Sequence, residues 1–233
     1  MKLQGATLAF DLDGTLADTA PDLVGTLNDM LEAEGLPPLP LERARHMVGH
    51  GARALLIRGF EAAGAPWRPE RDAELNARFI EVYLARIARE SRPFPGVDEV
   101  LDAFARDGAA LVVCTNKRTD LSLALLEAVG LADRFVAVVG ADYGGPRKPD
   151  AAHLQAALEA AGGDPSRAVM VGDSETDVGA ARAAGVPSVV FTFGYCSTSV
   201  AELGADAVLD RWSDLPAAVD RLLQPCERPA RAV

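Results

Sequence analysis

Leu8-Ala9-Phe10-Asp11-Leu12-Asp13-Gly14-Thr15-Leu16 opens as an apolar strand and stops at two carboxylates and a glycine. A strand buried on both faces of a parallel sheet reads as a continuous apolar run, and ligands of open α/β sheets bind just beyond the carboxyl ends of such strands. Asp11 is thereby placed at a site. Alternation along an extended chain sends Asp11 and Asp13 to the same side, and Gly14 lets the backbone leave in a conformation closed to other residues. In such a pair one acid can attack or bind metal while the other donates and accepts a proton. Aspartates also commonly cap turns before helices, so the pair by itself leaves both roles open.

The chain has 233 residues, 49% of them hydrophobic and 24% charged. That is enough for a well-buried core and for one domain carrying an insertion, or for two unequal domains. A formal net charge of -11 argues against a nucleic-acid partner, because that binding rests on phosphate neutralisation by Lys and Arg. Cys114, Cys196 and Cys226 are odd in number and far apart. They fit neither a disulfide framework nor a zinc site, so reduced thiols in the cytoplasm are expected. The amino terminus has a single Lys2 and a short apolar run broken by Asp11, unlike a signal peptide, and no stretch has the uncharged length of a membrane span.

Beyond Leu16, apolar residues at Leu23, Val24, Leu27, Met30 and Leu31 have helical spacing, with Asp18 as the expected cap and Pro21 in the first turn. Helical patterns recur at Leu55, Leu56, Phe60 and Ala63, and at Leu75, Phe79, Tyr83 and Ile87. No strand is expected between Asp18 and Arg92. The pattern predicts an all-helical insertion over residues 17–95, closed by Pro93-Phe94-Pro95-Gly96. Residues 1–16 and 96–225 then form the catalytic core. From Val97 onward, expected helices alternate with strands at Ala109–Cys114, Phe135–Val139, Ala168–Val171, Ser188–Phe191 and Ala207–Leu209. That alternation predicts a Rossmann-like α/β core, a parallel sheet with helices on both faces. Residues 226–233 are expected to be a loose tail.

Three further stretches offer groups suited to a phosphate. The strand ending at Cys114 delivers Thr115 and Asn116, a hydroxyl and an amide able to donate to phosphate oxygens, or to cap the next helix. The loop Gly144-Gly145-Pro146-Arg147-Lys148-Pro149 carries one of only three lysines in the chain, and its point charge can neutralise a phosphate together with an attacking carboxylate. The strand Val169-Met170-Val171 ends at Gly172-Asp173, with Asp177 one helical turn on. Two hard oxygen donors there suit Mg²⁺, and they equally suit a capped helix start. A dinucleotide fold is rejected because G-x-G-x-x-G is absent.

Asp-Leu-Asp-Gly-Thr-Leu, Thr115-Asn116, Lys148 and Gly172-Asp173 with Asp177, in that order, resemble the four signatures of the haloacid dehalogenase-like superfamily. The resemblance implies an aspartyl-phosphate mechanism with Asp11 as nucleophile and Asp13 as general acid and base. It further implies that Thr115, Asn116 and Lys148 hold the phosphoryl group, that Asp11, the Asp13 carbonyl and Asp173 hold Mg²⁺, and that Asp177 supports them. The helical insertion resembles the small cap of this superfamily. Asp18-Thr19-Ala20-Pro21-Asp22-Leu23, Val48-Gly49-His50-Gly51-Ala52, Thr115-Asn116-Lys117 and Phe193-Gly194-Tyr195 are similar to phosphoglycolate phosphatases, with Arg118 in place of the proline many relatives carry. The expected protein is therefore a cytoplasmic Mg²⁺-dependent phosphatase of 2-phosphoglycolate, acting on a small phosphorylated metabolite as a monomer or homodimer. His50 and Arg53 are the expected readers of the substrate carboxylate.

The nearest rivals are another small-cap phosphatase, for a sugar phosphate, nucleotide or pyrophosphate, and a hexose-phosphate mutase. A phosphorylatable signalling module is the rival of another class, but it has no use for a helical lid or for Asp13. A phosphonoacetaldehyde hydrolase needs a lysine in the cap, and residues 18–92 contain none.

Overall fold

The computed structural model describes residues 3–196 and 198–224. The expected tail, residues 226–233, lies outside them. Six strands form one parallel sheet: β1 (Thr7–Phe10), β4 (Ala110–Cys114), β5 (Ala137–Val139), β6 (Ala168–Gly172), β7 (Ser188–Phe191) and β8 (Ala207–Leu209), in the order β5-β4-β1-β6-β7-β8. β1 pairs with both β4 and β6 and so occupies the middle. Successive side chains on these strands serve opposite faces, which is why the strands are apolar throughout. Leu8, Phe10, Leu111, Val113, Val169 and Val171 join one core with residues of α5 (Val97–Arg106), α6 (Thr119–Ala128) and α9 (Leu215–Leu223). Ala9, Val112, Cys114 and Met170 face the other way, into a core shared with α7 (Ala151–Ala160) and α8 (Glu175–Ala184).

Between β1 and α5 lie α1 (Ala20–Ala33), the single turn α2 (Leu41–Ala44), α3 (Ala52–Ala62) and α4 (Asp72–Leu84). They bury their own apolar faces together, including Leu27, Leu56, Phe79 and Tyr83, and the same cluster takes in Leu121 and Tyr195 from beyond the insertion. Two strands of two residues each, β2 (Ala17–Asp18) and β3 (Arg92–Pro93), pair antiparallel where the chain enters and leaves these helices. No strand was expected at this entry, because two residues are too short for alternation to register. Buried Asp22 closes the same neck. Its Oδ2 accepts from Glu90 N at 2.9 Å, Ser91 N at 2.7 Å and Ser91 Oγ at 2.7 Å.

Asp18 does not cap α1 as expected. Thr19 occupies that position, and the Asp18 carboxylate instead accepts from the Tyr195 hydroxyl at 2.7 Å and lies 3.5 Å from Arg45. Thr115 and Asn116 do not cap α6 either, since Arg118 stands at its start and Asp142 Oδ1 accepts from Thr119 N. Among the described residues, no helix is long and apolar enough to cross a membrane.

Candidate active site

Asp11, Thr115 and Asp173 each stand one residue beyond the last residue of a neighbouring strand, β1, β4 and β6 respectively. Parallel pairing in register brings these three strand ends to one edge of the sheet, so residues more than a hundred positions apart in sequence converge. Asp11, Asp173 and Asp177 offer carboxylate oxygens that all lie within 4.8 Å of one another, and all three residues are buried.

Lys148 enters this cluster from the loop before α7. Its Nζ donates to Asp177 Oδ1 at 2.6 Å and to the Cys114 carbonyl at 2.6 Å, and lies 3.0 Å from Asp11 Oδ1. The last approach is an ion pair whose angles fall short of a hydrogen bond, so Asp11 Oδ1 is buried without a hydrogen-bond partner. Burial alone would push the Lys148 ammonium down, but the carboxylates of Asp11 and Asp177 outweigh it and hold the group protonated. His153, which the sequence did not single out, accepts from the Lys148 backbone N–H at 3.0 Å. Its own burial and the Lys148 charge push its imidazole down to about 4, which keeps it a neutral acceptor.

One ammonium does not neutralise three carboxylates. Burial, offset in part by Lys148, pushes the Asp11 carboxyl up to about 6, and burial with the charges of Asp177 and Asp11 drives Asp173 well above the carboxylate range. An acidic cluster with an orphaned buried oxygen and carboxyls forced toward neutrality lacks two positive charges when all three acids are ionised, and a hard divalent cation fits that donor set. Asp173 is aimed by Thr15 Oγ1 at 3.2 Å and by Tyr195 N at 2.6 Å. Asp177 does two jobs, of which only the helix-start role was weighed from the sequence. Its Oδ1 holds Lys148, while its Oδ2 accepts from Ser174 N and Ser174 Oγ and closes a capping box at the start of α8.

Asp13 belongs to a different set of contacts. Its carboxylate accepts from Lys117 Nζ at 3.0 and 3.1 Å and from Thr19 Oγ1 at 2.7 Å, and it is not one of the three carboxylates of the acidic cluster. Lys117 is buried, and its Nζ lies 4.5 Å from the ring centroid of Tyr83 on α4. Lys117 is the main residue that the sequence alone missed. Its neighbour Asn116 uses Nδ2 to donate to the Lys148 carbonyl at 3.1 Å, tying the end of β4 to the lysine loop, while Thr115 Oγ1 accepts from Lys117 N.

A cavity of about 180 Å³ separates the strand ends from the helices of the insertion. Asp13, Asn116, Lys117 and Arg147 line it from one side, and Leu55, Asn76, Phe79 and Tyr83 from the other. The two residues expected to read the substrate sit differently. Arg53 touches the cavity, but its Nε donates to Asp72 Oδ1 at 2.7 Å. His50 does not line it; its Nε2 lies 3.3 Å from Glu175 Oε1, beside a smaller hollow near Asp173.

Residues 6–185 match the family of haloacid dehalogenase-like hydrolases, and the chain belongs to it. A phosphoglycolate phosphatase of Caulobacter vibrioides is 60% identical over 97% of this chain and 96% of its own length. One from Agrobacterium fabrum is 47% identical over 92% of each chain. A solved structure from Haemophilus somnus, described as a predicted phosphoglycolate phosphatase, superimposes with a TM-score of 0.85 at 28% identity, covering 94% of this chain and 99% of the other.

Proposed function

We propose that the protein is a Mg²⁺-dependent phosphatase whose substrate is 2-phosphoglycolate and whose reaction passes through a phosphorylated Asp11. The observation that carries the chemistry is the meeting of Asp11, Asp173, Asp177 and Lys148 in one buried cluster, with Asp13 standing at the adjoining cavity. Phosphoryl transfer needs positioning and charge neutralisation above all, and this cluster supplies a nucleophile with counter-charges around it.

In the first step an Asp11 carboxylate oxygen forms a bond to phosphorus as the ester P–O bond breaks. Asp13 delivers its proton to the departing alkoxide, which leaves as glycolate. In the second step Asp13, now ionised, takes a proton from water as that oxygen attacks phosphorus. The acyl phosphate bond breaks, and inorganic phosphate and the Asp11 carboxylate are regenerated. Thr115, Asn116 and Lys148 hold the phosphoryl oxygens throughout. Asp11, Asp173 and the Asp13 carbonyl would hold the Mg²⁺, with Asp177 behind them, and the ion would supply charge neutralisation that lets a carboxylate approach a phosphate.

The substrate assignment has two supports. The relatives named phosphoglycolate phosphatase align over nearly their whole length, and a cavity of about 180 Å³ is small beside pockets that take larger ligands. The cavity walls include Asp13 but not Asp11, which suits room for a leaving group rather than for the phosphoryl group. Helices over residues 17–95 act as the cap over a core of residues 1–16 and 96–225. Small metabolites as substrates and free Cys114 and Cys196 agree with a cytoplasmic setting.

The test is turnover of a panel of phosphate esters with Mg²⁺, including 2-phosphoglycolate, sugar phosphates, nucleotides and pyrophosphate. Asp11→Asn should abolish hydrolysis, and excess chelator should do the same to the wild type. Turnover persisting under either condition overturns the mechanism, and a different best substrate overturns the substrate assignment alone.

A further inference from the structure

We propose that Lys117, together with the hydroxyl of Tyr83, is the site that reads the carboxylate of the leaving group. The inference deepens the phosphoglycolate assignment and rests on it. In 2-phosphoglycolate a single methylene separates the ester oxygen from the carboxylate. Whatever group protonates that ester oxygen must therefore stand next to whatever group binds the carboxylate. Asp13 is the proton donor, and the cation beside it is Lys117, 3.0 and 3.1 Å from its two oxygens.

Lys117 is built for the task in a way the cavity's other cations are not. It is 7% exposed, so water competes weakly for it. Its ammonium has three protons, of which Asp13 occupies two, leaving a third for an incoming anion. Arg53 and Arg118 also touch the cavity, but each is already paired, with Asp72 and with Asp120. Arg147 is exposed at its rim, where charge pairing contributes little.

The second observation is Tyr83. Its side chain is fully buried, it lines the same cavity, and its hydroxyl, which faces the Lys117 ammonium, has no acceptor for its own proton. A buried phenol lacking an acceptor is costly unless a ligand supplies one. The Lys117 ammonium sits 4.5 Å from the Tyr83 ring centroid, so a cation and an idle donor stand side by side. A carboxylate, with two acceptor oxygens and one negative charge, is the ligand chemistry that matches both. Tyr83 lies on α4 and Lys117 follows β4, so the carboxylate would bridge the insertion and the core.

The experiment compares kcat/KM for 2-phosphoglycolate with that for ethyl phosphate, which keeps the ester and lacks the carboxylate. Lys117 also touches Asp13, so the informative quantity is the ratio of the two values rather than either one. Lys117→Met should lower the ratio at least about tenfold, and Tyr83→Phe, which removes only the hydroxyl, at least about threefold. Lys117→Arg, which restores the charge, should recover part of it. A folded Lys117→Met or Tyr83→Phe protein with the wild-type ratio overturns the proposal. Tyr83→Phe decides alone if the lysine variant does not fold. A wild-type ratio near one removes the phosphoglycolate assignment itself, and this inference with it.

Discussion

Lys148 Nζ lies 2.6 Å from Asp177 Oδ1, and both side chains are closed off from solvent. The pair is one arm of a larger balance, because the same ammonium also faces Asp11. Breaking a buried pair by removing one partner costs about 3–5 kcal/mol, since a charge is left uncompensated. Lys148→Met should therefore lose stability in that range in the metal-free protein, read from the urea midpoint, and recover part of it on adding Mg²⁺. A metal-free variant as stable as the wild type would show that Lys148 is not the cluster's counter-ion.

The Asp11 carboxyl is pushed up to about 6, chiefly by burial, from an ordinary value of 3.8. A carboxyl raised on folding holds more proton in the folded state than in the unfolded one between those two values. Unfolding free energy of the chelated protein should thus fall as pH rises from about 4 to about 6, by up to about 3 kcal/mol from Asp11. Asp173 is shifted the same way and adds to the slope. Asp11→Asn should be inactive yet melt at a higher temperature than chelated wild type at pH 7.5. Equal melting temperatures would argue that charge crowding at Asp11 is relieved without a cation.

Gly14 has φ of +86°, and a Cβ built there falls 2.6 Å from Asp173 Oδ2 and 2.9 Å from the Tyr195 ring. Gly14→Ala forces both the left-handed backbone and a collision with a metal-cluster acid. Strain of this kind costs about 1–3 kcal/mol. The variant should show that loss in denaturation and weaker activation by Mg²⁺, with half-saturation moved at least about tenfold higher. Unchanged Mg²⁺ dependence would separate the backbone strain from the site.

The Tyr195 hydroxyl accepts from Thr19 N at 2.6 Å and Ala20 N at 2.9 Å while donating to Asp18. Tyr195→Phe leaves two buried N–H donors at the start of α1 without an acceptor, at a cost of about 1–3 kcal/mol. Amide exchange should quicken at Thr19 and Ala20 before it does so in the sheet. Protection there equal to the wild type would mean that water or another group replaces the hydroxyl.

Arg53 is held by Asp72, and His50 faces Glu175 rather than the cavity. Arg53→Ala and His50→Ala should each change KM for 2-phosphoglycolate by less than about threefold, under about 0.7 kcal/mol. A tenfold rise in either would return carboxylate recognition to the loop before α3.

The strand-and-acid pattern of Leu8 to Asp13, the alternation after Val97 and the helical spacing between Ala17 and Pro95 were legible in the sequence because burial on a sheet face or helix stripe leaves a local period. So were Asp11, Lys148 and Asp173, since each stands just past an apolar strand or on a glycine-rich loop before a helix, and Asp177, one helical turn beyond Asp173. What the tertiary structure decided concerns partners. Lys117 looked like one more residue after Thr115-Asn116 until α4 laid Tyr83 over it and β1 set Asp13 beside it. Asp18 reads as a helix cap in its own neighbourhood, yet Tyr195, 177 positions away, claims its carboxylate. His50 and Arg53 have the right chemistry for an anion, but their neighbours Glu175 and Asp72 arrive from elsewhere in the chain. Periodicity records which face a residue buries, a local property of the backbone. Which charge meets which depends on contacts between distant segments, and those leave no period in the sequence.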